Sequence, residues 1–140
     1  MRIWRIALLP ALLLSLGLSS AHPAQAADVE TKVLVALRKQ GGFAGFDDRV
    51  TVYTNGCVRL SRRTGPTVDK CLTKKEVAAL RGHLKHLRLG RSEAQPQGAD
   101  FIKYTISYKG HRASRYTLTT SWSPVVRNLE QLLERYWAPD

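Results

Sequence analysis

Few residues in this chain have the types and spacing that chemistry requires, and each set points to a different kind of site. His83 and His86 lie three apart on one helical segment, a spacing that suits a metal, but no carboxylate or third histidine is near them in sequence. They read as a solvated pair on a basic helix. The run Gly41-Gly42-Phe43-Ala44-Gly45-Phe46 lacks the lysine and the serine or threonine of a phosphate loop, and its glycine spacing does not match the dinucleotide fingerprint. Asp47 and Asp48 are adjacent and point apart in an extended chain, and Asp100 is isolated, so no two-carboxylate site is suggested. With no convergent set of groups, the chain reads as a non-enzyme that needs neither cofactor nor metal.

Recognition is a better use for the glycine-rich run. Gly41, Gly42 and Gly45 let the backbone take positive φ at little steric cost, so the loop can be tight and can approach another surface closely. Two arrangements fit its residues. Phe43 and Phe46 either fold back into the core, as large apolar side chains commonly do, or stand out as anchors for a partner.

Cys57 and Cys71 flank a turn-like stretch at residues 63–67, so a hairpin would set them nearly opposite each other on neighbouring strands. A disulfide is expected, because a catalytic or metal-binding thiol would need partners that the sequence does not supply. The expected compartment agrees. Arg2 and Arg5 precede an uncharged apolar stretch at residues 6–18, and Ala24-Gln25-Ala26 is the small-x-small pattern of a cleavage site. The apolar stretch is shorter than the roughly 20 residues of a membrane span. Residues 1–26 therefore read as a secretory signal peptide and residues 27–140 as a single exported domain, extracellular or at the cell envelope, with no membrane span after cleavage. An oxidising environment of that kind favours the cysteine pair.

Removal of Arg2 and Arg5 lowers the formal net charge from +11 to +9, which leaves the domain strongly basic. Basic residues cluster at Arg59, Arg62, Arg63, Lys70, Lys74 and Lys75. Such a patch associates with anionic partners, of which a cell-envelope polymer fits an exported protein; specific nucleic-acid recognition does not, although nonspecific affinity at low salt would be unsurprising.

The elements that position these residues follow from periodicity. Val33, Val35 and Leu37 alternate within a strand at residues 29–38, and a second strand at residues 49–54 passes through Asn55-Gly56, a strong hairpin signal, into a third at residues 57–61. Residues 68–72 add a short strand. Thr73 with Glu76 forms a capping box and Leu72 with Val77 a hydrophobic staple, so a helix starts there. Its stripe is Val77, Leu80, Leu84 and Leu87, and Gly90 is its expected stop. A polar loop at residues 91–98 leads to a hairpin with strands at residues 101–108 and 112–120 about Lys109-Gly110. Ser123 as N-cap and Pro124 in the first turn open a closing helix with Val125, Leu129, Leu132, Leu133 and Tyr136 as its stripe. Hairpins each followed by an amphipathic helix imply an α+β fold, an antiparallel sheet with both helices packed on one face.

The order of elements and several motifs resemble the emfourin family, the protealysin inhibitors. A strand running into a Gly-Gly-Phe-x-Gly loop is matched by Gly41, Gly42, Phe43 and Gly45; an Asp-x-Phe-x-Tyr-like start of a late hairpin is matched less closely by Asp100, Phe101 and Tyr104; and a final helix carries spaced leucines, here Leu129, Leu132 and Leu133. The resemblance covers residues 29–137. It implies a proteinaceous inhibitor of a thermolysin-like zinc metallopeptidase, with an extracellular metallopeptidase as partner. Such enzymes prefer a bulky apolar residue just after the scissile bond, so the resemblance implies that Phe43 or Phe46 fills that pocket. The leader, the cysteine pair and the large positive charge set this chain apart from the family's inhibitor.

Overall fold

The computed structural model describes residues 31–137. The expected signal segment and the first residues expected in the opening strand lie outside the described residues. Six strands and two helices follow in the order β1 (Val33–Gly41), β2 (Phe46–Tyr53), β3 (Cys57–Ser61), β4 (Val68–Cys71), α1 (Lys74–Lys85), β5 (Ile102–Tyr108), β6 (His111–Arg115) and α2 (Ser123–Tyr136). The strands form one sheet in the order β4-β3-β2-β1-β5-β6, and every neighbouring pair is antiparallel. This is the expected α+β architecture.

Strand alternation puts Val35, Leu37, Val50, Val52, Val58, Leu60 and Ile106 on one face, where register sets them side by side. There they meet Leu80 and Leu84 of α1 and Val125, Val126, Leu129, Leu132 and Leu133 of α2 in a single core. Removing this apolar surface from water is the main force holding both helices on that face. The helices are also tied to each other. The Glu76 carboxylate closes the capping box with Thr73 and accepts from Arg135 at 2.6 Å and from the Tyr136 hydroxyl at 2.9 Å, joining the start of α1 to the end of α2. Partial burial pushes the Glu76 carboxyl up, but hydrogen bonds from the Thr73 amide, Tyr136 and Arg135 outweigh it and hold the group below its ordinary value.

Four local expectations are corrected. Val33 does not share the face of Val35 and Leu37: a bulge pairs Val33 with Tyr53 and Val35 with Val52, which turns Val33 to the opposite side, 54% exposed. The first helix ends at Lys85, before Gly90, because the chain beyond it is held elsewhere. The Arg88 carbonyl accepts from the Trp122 indole at 2.9 Å, and the Arg88 amide donates to the Ser121 hydroxyl at 3.3 Å. β6 stops at Arg115, since the Glu93 carboxylate takes the amides of Tyr116 and Thr117 at 2.9 and 3.0 Å. Trp122, not Ser123, occupies the N-cap of α2 and has no side-chain cap bond; the amides of Trp122 and Ser123 both donate to the Thr119 carbonyl.

Candidate functional site

β1 and β2 form a hairpin whose last pair is Gly41 with Phe46, leaving Gly42, Phe43, Ala44 and Gly45 as the loop. All three glycines of this region have positive φ, 93° at Gly41, 71° at Gly42 and 60° at Gly45. A bond of 2.9 Å from the Gly45 amide to the Gly42 carbonyl closes a turn with Phe43 and Ala44 at its tip.

A distant segment braces this turn from one side. The Phe101 carbonyl accepts the Gly42 amide at 3.1 Å, and the Asp100 carboxylate accepts the Phe43 amide at 2.7 Å. The fit is close enough that a Cβ on Gly41 would stand 2.6 Å from the Phe101 carbonyl oxygen. On the other side, the Arg63 guanidinium donates to the Gly45 carbonyl at 3.3 Å. The loop backbone is thus engaged from both flanks, and the side chain at its tip points away from those partners.

The two phenylalanines take opposite roles. Phe43 is 88% exposed. Phe46 is half-buried, with the Lys39 ammonium 4.3 Å from its ring centroid. Lys39 is in turn held by Glu130 of α2 at 2.7 Å. Partial burial lowers the affinity of Lys39 for its proton, but the hydrogen bond and charge of Glu130 outweigh that and raise its pKa, so the cation beneath the loop persists. Phe101 stands at the same end of the sheet, 39% exposed and edge-on to Tyr116 with centroids 6.4 Å apart.

The basic residues are less of a unit than their clustering in the chain implies. Arg59 is paired with Asp69 at 2.9 Å, the Arg62 guanidinium lies 5.1 Å from the Trp137 ring centroid, and Arg63 serves the glycine loop. Cross-strand register pairs Arg59 with Asp69 and Val58 with Lys70, so Arg59 and Lys70 point to opposite faces of the sheet. Lys70, Lys74 and Lys75 are exposed. Cys57 and Cys71 are directly opposed on β3 and β4 and joined as a disulfide, as the turn between them implies.

Asp100 and Phe101 are the residues whose contribution sequence reasoning missed. Asp100 reads as an isolated carboxylate and Phe101 as the start of a strand, and nothing local to them shows that the Asp100 carboxylate serves an amide 57 positions away. The arrangement holds an exposed aromatic ring on a loop backbone bonded from both flanks. No family model, curated protein or solved structure matches the chain.

Proposed function

We propose that this protein is an exported, emfourin-like inhibitor of a thermolysin-like zinc metallopeptidase, and that Phe43 is the side chain it inserts into the enzyme's apolar specificity pocket. The observation that carries this reading is the 88% exposure of Phe43 on a loop whose amides are already bonded to Asp100 and Phe101. An aromatic ring left exposed on an ordered loop is free to enter a partner's pocket, and a loop ordered beforehand loses little entropy on binding. Aromatic anchors of this kind dominate interface energetics. The target class comes from the resemblance of Gly41, Gly42, Phe43 and Gly45 to the family's loop.

The test is a titration of thermolysin, and of a secreted metallopeptidase from the same source, with purified protein. Dose-dependent inhibition is expected, weakened about 30-fold or more by Phe43→Ala, which corresponds to the roughly 2 kcal/mol of an interface hot spot. Phe46→Ala should act through stability instead, since its ring is packed under Lys39. Full peptidase activity at micromolar protein would overturn the reading for those enzymes.

The exposed Lys70, Lys74 and Lys75 support a second reading, a basic module that binds anionic cell-envelope polymer without inhibiting a protease. Salt separates the two. Polymer retention should collapse as ionic strength rises, whereas an aromatic-anchored complex keeps much of its affinity.

A further inference from the structure

A concave surface lies at the end of the sheet opposite the glycine loop. Register sets Gly41 beside Ile102 at the glycine-loop end of the β1–β5 pair and Val35 beside Tyr108 at the opposite end. There the chain leaving α1 and the β5–β6 turn enclose a groove of about 620 Å³, a volume within the range that holds compact organic ligands. Its apolar surface is provided by Leu84, Leu87, Leu89 and Tyr108, which are buried or half-buried. Around them stand Lys85, Arg88, Lys109, His111 and Arg112, all exposed.

No carboxylate lines this groove, and none of its lysines and arginines takes part in an ion pair among the described residues. Elsewhere the protein does pair such groups, as Arg38 with Asp47, Lys39 with Glu130 and Arg135 with Glu76 show. The wall is fixed in place. Arg88 is pinned through its backbone by Trp122 and Ser121, and the Leu87 amide bonds to the Leu84 carbonyl at 3.2 Å. Lys109 sits at φ 51° in the turn, a conformation non-glycine residues seldom adopt, with its ammonium 5.3 Å from the Tyr108 ring centroid.

We propose that this groove binds an amphiphilic anion, a molecule with a carboxylate or phosphate head on an apolar chain or ring. The cations meet the head, and the leucines and Tyr108 receive the apolar body. A flat membrane surface would call for apolar side chains that protrude beyond the cations; here they are buried or half-buried within a concave site, which suits a single molecule. An acidic peptide would use the cations and leave the apolar floor uncovered.

The experiment is a titration of the full chain with decyl phosphate below micelle formation, at near-physiological ionic strength, followed by the NMR shifts of the Leu84, Leu87 and Leu89 methyls. Saturable shifts confined to this groove are expected, with inorganic phosphate and decanol each binding about tenfold more weakly or worse. Decanoate should bind in the same place, and its strength relative to decyl phosphate tells a carboxylate from a phosphate head. Lys109→Asn with Arg112→Gln should weaken binding about tenfold while the melting temperature holds, because asparagine tolerates positive φ in this turn. Equal response to decanol, shifts scattered over the surface, unchanged affinity in the double variant, or tighter binding of hexaglutamate would each overturn the proposal.

Discussion

Two hairpins of the same sheet are held by different means. The β1–β2 hairpin ends in a glycine loop whose amides donate to Asp100 and Phe101 and which accepts from Arg63, and it shows an aromatic ring to solvent. The β3–β4 hairpin is closed by the Cys57–Cys71 disulfide, and its loop receives an aromatic ring: the Trp137 indole donates to the Pro66 carbonyl at 2.8 Å and lies against Gly65, where a Cβ would stand 2.6 Å from the ring. Both loops are rich in turn residues. The difference teaches that such residues set how tightly a chain can turn and leave open whether a ring points in or out. The side from which partners approach decides that.

The largest test of this contrast is removal of the covalent hairpin's bond. Cys57→Ser with Cys71→Ser should cost about 3 kcal/mol of stability in the chain-entropy account, seen as a lower denaturant midpoint. Inhibition measured below the new transition should be largely retained, because Asp100 and Phe101 brace the glycine loop from outside this hairpin and the β3–β4 loop contributes only Arg63; a parallel loss would show that the two hairpins are coupled through Arg63.

Gly41→Ala strikes the other hairpin. The new Cβ would meet the Phe101 carbonyl at a residue with φ 93°, so a cost of about 2 kcal/mol is expected, with melting and inhibition falling together. A stability change without loss of inhibition would detach the brace from the function.

The smallest and most specific change is Asp100→Ala. It removes the acceptor of the Phe43 amide and should cost about 1 kcal/mol or less in global stability, while that amide exchanges faster with solvent and inhibition weakens several-fold. Asp100→Asn, which keeps a carbonyl acceptor, should recover most of the loss.

How much was legible in the residues follows the range of the interaction. Thr73 and Glu76 form their capping box within one helical turn, and Asn55-Gly56 turns the chain by its own conformational preference, so both are readable in place. The Cys57–Cys71 pairing is readable because the turn between the cysteines sets the register. Val33 was not, since a bulge depends on how two strands meet. The end of α1 was not either, since Trp122 and Ser121, more than thirty positions away, hold the chain after it. The basic cluster looked like one patch because nearness along a chain says nothing about which face of a sheet each side chain takes.

By themselves, then, the residues determined the α+β plan, through periods of two and of three to four whose apolar faces had to be covered by one another. They also determined that the chain turns tightly at Gly41, Gly42 and Gly45. Tertiary structure alone decided that Phe43 projects while Phe46 packs under Lys39, because the groups responsible, Asp100, Phe101, Arg63 and the Glu130-bound Lys39, converge on the loop only after the sheet has formed and α2 has docked.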